Sequence, residues 1–117
     1  MIDIDNLDSL LESQEKMVKG LRPGTEKKIV WAGESGVKLK TSIVFIHGFS
    51  ASRVETYPVI DLIAAELNAN VYFTRLRGHG QDGRALAETT YEQLLDDTIE
   101  AIEIGKSIGD NLSLIHI

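Results

Sequence analysis

Ser42-Ile43-Val44-Phe45-Ile46-His47-Gly48-Phe49 is the stretch whose reading decides the fold. From Ile43 to Ile46 it is uninterruptedly apolar and rich in β-branched residues, with no alternation between a wet and a dry side. Such a run suits a strand buried on both faces of a parallel sheet. Gly48 then allows a sharp turn and a close backbone approach at the strand's end.

Downstream, Val59, Ile60, Ile63, Ala64 and Leu67 recur at helical spacing behind Pro58, which a first turn tolerates, and Asn68 to Asn70 break the pattern. Val71-Tyr72-Phe73-Thr74 reads as a second strand of the buried type. Thr90 with Gln93 forms the signature of a capping box, predicting a helix over Tyr91 to Ile108. Leu94, Leu95, Ile99 and Ile102 are expected on its apolar side, and Asp96, Asp97, Glu100 and Glu103 on its wet side. Gly109-Asp110-Asn111 is expected to end the helix, and Leu112 to Ile117 to open a further strand. Strand, helix, strand, helix, strand is the pattern of right-handed parallel βαβ units, so the expected class is α/β with a mostly parallel sheet and flanking helices.

Upstream, Leu7, Leu10, Leu11, Met17 and Val18 lie at helical spacing, with Asp5 or Asn6 placed to cap the start and Gly20 the end. Glu12 with Lys16, and Glu15 with Lys19, are expected as supporting pairs on its wet side. A loop from Gly20 leads to a strand over Ile29-Val30-Trp31 and a turn at Gly33 to Gly36. Residues 1–25 are therefore assigned as an amphipathic helix and loop, and 26–117 as the body of the domain.

The 117 residues carry a net charge of −6, which offers a phosphate backbone no attraction, so nucleic-acid binding is not expected. The absence of cysteine rules out a disulfide framework and a thiolate metal site and fits a reducing compartment. Three scattered histidines make no metal site. The start lacks the basic and continuously apolar stretches of a signal peptide, and no run reaches membrane-spanning length. A cytoplasmic protein is expected.

In a parallel sheet, ligands bind at the carboxyl ends of the strands, which puts His47 to Ser52 on the functional edge. An apolar strand running into His47-Gly48-Phe49, then a helix, a strand and Arg75-Leu76-Arg77-Gly78-His79-Gly80, resembles the α/β-hydrolase superfamily, in its carboxylesterase and monoacylglycerol-lipase-like branch. The resemblance covers about residue 29 to the end. It implies that the backbone N–H of Phe49 forms half of an oxyanion hole, with His47 and Gly48 supporting that loop. It also implies an ester of a small or medium acyl group as substrate and no cofactor. Ser50 stands where epoxide hydrolases and dehalogenases commonly carry proline, which favours esterase chemistry. Ser50 and Ser52 read as helix caps, and His79 as a residue bonding within its own turn.

The family's nucleophile lies on a G-x-S-x-G elbow after the next strand, followed in chain order by an acid and a His. His116 occupies the place of the first elbow glycine. The triad is thus expected after Ile117, the chain being an N-terminal fragment without catalytic residues of its own. His116 precedes the acid and the serine, against the family's order, and is rejected as the base. The tail Ser113 to Ile117 resembles read-through at a coding break, so its native status is left open. Gly78-His79-Gly80-Gln81-Asp82-Gly83 also fits G-x-G-x-x-G, but the acidic residues about 20 positions on, Asp97 and Glu100, fall inside a helical pattern. A nucleotide-binding Rossmann-type module and a noncatalytic binding domain on the same scaffold stand as alternatives.

Overall fold

The computed structural model describes residues 4–18, 20–21, 24–47, 57–79 and 88–116. A short 3-10 turn, Ile4–Asn6, leads into α1, Leu7–Lys16. Then come β1 (Lys28–Val30), β2 (Leu39–Ile46), α2 (Val59–Leu67), β3 (Asn70–Phe73), α3 (Tyr91–Ile108) and β4 (Gly109–His116). The sheet order is β1-β3-β2-β4. β2 runs parallel to both β3 and β4, whereas β1 pairs antiparallel with β3, Lys28 lying opposite Phe73. The expected α/β class, with a mostly parallel sheet and flanking helices, is observed.

The central strand explains itself. Ile43 and Phe45 face one side, where Ile60 and Ala64 of α2 meet Val71 and Phe73. Val44 and Ile46 face the other, against Tyr72, Leu7 and Leu11 of α1, and Ala101, Ile104 and Ile108 of α3. Alternate side chains point to opposite faces, so a strand covered on both must be apolar throughout. Phe45 and Phe73 meet with ring centroids 5.8 Å apart and a 56° tilt, a geometry suited to their quadrupoles.

The helix over Tyr91–Ile108 has the expected capping box, Gln93 N donating to Thr90 Oγ1 and Thr90 N to Gln93 Oε1. Its facing differs from the expectation. Asp97, Ala101, Ile104, Gly105 and Ile108 form the buried stripe, while Leu95 and Ile99 are exposed. Asp97 is thus not on the wet side; its carboxylate is drawn inward by partners on the loop after β3. The helix ends at Ile108, with Gly109 ending it as expected, but β4 begins at once at Gly109 and not at Leu112.

In α1, Asn6 holds the N-cap position without a side-chain cap bond, and the helix ends at Lys16 before Gly20. Glu12 and Lys16 form the expected exposed pair at 3.0 Å. Glu15 is buried, not wet, and pairs with Arg75; the expected pair with Lys19 lies outside the described residues. Burial strengthens the pairing of this guanidinium with the carboxylate because little water screens it.

The amino ends of β2, β3 and β4 are joined to the carboxyl end of β1 by Asn70, fully buried at the start of β3. Its amide donates to the carbonyls of Val37 and Ile108 and accepts from the Ala32 amide. Asn70→Ala would leave these groups dry and unpaired. It is expected to cost about 3 kcal/mol, measured by urea unfolding, whereas a purely local role would leave the midpoint almost unmoved.

Candidate functional site

The helix that follows β2, α2, packs on one face of the sheet, and the helix that follows β3, α3, on the other. Neighbouring parallel strands whose connections part in this way open a crevice at their carboxyl ends, where ligands of open α/β sheets bind. Here that position is held by His47, which follows β2, and by Thr74 to His79, which follow β3. Gly48, Phe49, Ser50 and Ser52, as well as Gly80 to Gly83 of the glycine-rich match, lie outside the described residues.

His47 is 1% exposed, and its Nε2 accepts from the backbone N–H of Leu76 at 3.1 Å. An Nε2 that accepts is unprotonated, so the neutral ring carries its proton on Nδ1. The ring lies against that of His79, centroids 4.5 Å apart. His79 is also buried, and its Nδ1 contacts the carbonyl of Arg77 at 3.2 Å, which assigns the proton to that nitrogen because a carbonyl can only accept. The within-turn bond expected for His79 is therefore present. His47 engages the backbone of the neighbouring strand's loop, so one strand end holds the other.

Asp97 on α3 fastens the same loop from the helix side. Its carboxylate accepts from Arg77 N at 2.7 Å and Arg77 Nε at 3.1 Å. Glu15 on α1 fastens it as well, taking Arg75 Nε at 2.5 Å and Arg75 Nη2 at 2.9 Å. The two-point fit between a planar guanidinium and a carboxylate is the strong, oriented form of this bond. Lys27 adds its backbone N–H to Glu15, at 3.1 Å, and its ammonium to Glu100, at 2.7 Å.

Burial by itself would raise the Glu15 carboxyl, but the Arg75 hydrogen bonds and charge, with help from Lys27, outweigh it and hold the group below the usual carboxylate range. A depressed folded-state value means that the unfolded chain binds this proton more readily. The stabilisation is present above the ordinary glutamate range and is lost as pH falls through the lowered value. Urea midpoints are expected to drop from pH 5 toward about pH 3, with a shallower slope in Glu15→Gln; equal slopes would refute the assignment.

Tyr72, beneath this cluster, is fully buried, and its phenol is pushed well above its usual range, by burial first and by the Glu100 charge next. Neither its hydroxyl nor that of Thr74 has a hydrogen-bond partner of ordinary geometry. Among the described residues, no group of three or more His, Asp or Glu could hold a metal ion, and no helix is long and apolar enough to cross a membrane. A cavity of about 690 Å³ opens between α1 and β1, lined by Leu11, Glu15, Lys27 and Ile29, with neither His47 nor His79 in its wall.

No protein-family model and no curated protein matches the chain. Solved structures do. One, from work on "LipS and LipT, two metagenome-derived lipolytic enzymes", superposes with a TM-score of 0.65 at 22% sequence identity, over 83% of this chain. The fold is shared with part of a lipolytic enzyme. This chain spans only 37% of that structure's length.

Sequence reasoning missed Glu15 and Asp97 as members of this edge and gave Arg75, part of the quoted motif, no role of its own. The signal for Asp97 was present: it shares a helical stripe with Ala101, Ile104 and Ile108, the apolar residues that prove to be buried. Nothing local marks Glu15, whose partner lies 60 residues away.

Proposed function

We propose that the intact protein is a serine hydrolase of carboxylic esters with small or medium acyl groups, and that this chain is its α/β-hydrolase front portion, cytoplasmic and without a cofactor. The observation that carries the reading is the bond from Leu76 N–H to His47 at the carboxyl end of β2, which joins the two motif-bearing loops at the crevice. The fold likeness to a lipolytic enzyme supports it. In this reading a serine beyond Ile117 attacks the ester carbonyl, and a histidine backed by an acid takes the hydroxyl proton and returns it to the departing alcohol. Water then cleaves the acyl-enzyme by the same route. The amides of Phe49 and of the residue after the serine stabilise the oxyanion, one good donor contributing about 3 to 4 kcal/mol to the barrier reduction. His47 and Gly48 hold the Phe49 loop.

The 117-residue chain is expected to hydrolyse nitrophenyl esters no faster than background, while a longer chain is expected to react with a fluorophosphonate probe at a G-x-S-x-G serine. Probe-sensitive hydrolysis by the 117 residues, or an unlabelled longer chain, would refute the proposal. No observation favours the nucleotide-binding alternative: α3, the next described helix after the glycine-rich match, begins only at Tyr91. Titration with NAD would separate the two.

A further inference from the structure

We propose that α1 is the latch of the strand-end crevice, with Glu15 and Arg75 as positioning residues for the reaction proposed above, on which this inference rests. Helix α1 contributes Leu7 and Leu11 to the sheet's core, which fixes its axis. Its last turn then delivers Glu15, 6% exposed, to the two-point pair with Arg75. The guanidinium has a further use for its remaining donors: Nη1 reaches the carbonyls of His79, at 3.3 Å, and Leu76, at 3.5 Å. Arg75 therefore grips both ends of the Leu76–His79 turn, which His79 N closes by donating to Leu76 O at 3.0 Å.

That turn does not end the chain of contacts. Its first amide, Leu76 N–H, is the donor to His47 Nε2 at the end of β2. A continuous path thus runs from Glu15 through Arg75 and the turn backbone to the residue before Gly48 and Phe49. The carboxylate orients the guanidinium, the guanidinium sets the turn, and the turn sets the imidazole. An ammonium in place of the guanidinium could meet Glu15 but lacks the planar fork that also spans the two carbonyls.

Amide hydrogen exchange of the 117-residue chain, read by mass spectrometry with fragmentation, tests this. Glu15→Gln should accelerate exchange at Leu76 and His79 by about tenfold or more, the loss expected for charged hydrogen bonds, while Val44 and Ile104 change by less than about threefold. Arg75→Lys should do the same and serves where Glu15→Gln fails to fold. Equal acceleration throughout the core, or none at the turn, would overturn the latch. In a longer chain that carries the nucleophile, Glu15→Gln should lower kcat about tenfold and leave KM within about twofold. Unchanged kcat would overturn the positioning role. A longer chain without esterase activity would instead sink the hydrolase reading, and the exchange result would still decide whether α1 holds the turn.

Discussion

Arg75→Met is expected to destabilise the protein by about 4 kcal/mol, a large share of the stability of a domain this size. The reason lies in what is left behind. Glu15 is 6% exposed, and without the guanidinium its carboxylate must be stripped of its main partner, take up a proton or drag α1 outward. Two carbonyls of the turn, those of Leu76 and His79, lose a donor at the same time. The companion variant makes the argument quantitative. Glu15→Leu combined with Arg75→Met removes both charges, and an apolar pair at such a site is often neutral or stabilising. The double variant should therefore recover most of the loss in a urea midpoint, giving a strongly non-additive cycle. Simple addition of the two single effects would show that the pair is not a unit. The latch predicts one more difference: the double variant regains stability while exchange at Leu76 stays fast.

Gly109→Ala is expected to cost about 3 kcal/mol, although nothing about its backbone dihedrals demands glycine. Its φ of −158° is ordinary extended backbone. The demand is for space. A Cβ at this position would sit 2.5 Å from both the nitrogen and the Cβ of Ser42 in β2, and 2.7 Å from Ser42 Oγ. Backbone cannot yield as a side-chain tip can, so α3 or β4 would have to withdraw. Ser42 Oγ also donates to the carbonyl of Gly105 at 2.7 Å, and the shift would stretch that buried bond. Gly33→Ala makes the control, since a Cβ there meets nothing within 4 Å, and its effect should stay within about 0.5 kcal/mol. Thermal melts of the two variants compare them directly; equal melting temperatures would remove the packing argument.

The same contrast runs through the molecule. The strand over Ile43 to Ile46 and the helices over Val59–Leu67 and Tyr91–Ile108 were legible because each advertises itself locally, by an unbroken apolar run, a helical spacing or a capping box. The longer reach of β2, back to Leu39, was not legible. Leu39 is half-buried and Lys40 exposed, and they become strand because β4 runs alongside them, Leu39 opposite Gly109. The facing of α3 was misread for a related reason. Leu95 and Ile99 look like core residues by chemistry, yet the sheet and the loop after β3 select the stripe through Asp97.

At the candidate site, the sequence by itself determined that a parallel strand ends in His47-Gly48 and that a second ends near Arg75 to His79. It also determined the order in which they arrive, because hydrophobic period and turn chemistry are properties of neighbouring residues. Only the tertiary structure decided that the His47 ring accepts from Leu76, that Asp97 turns inward, and that Glu15 holds Arg75. Those are pairings between groups 20 to 60 residues apart. Buried charges settle on whichever partner the packed backbone delivers with the best geometry in the least water, and that choice is made only when the helices close over the sheet.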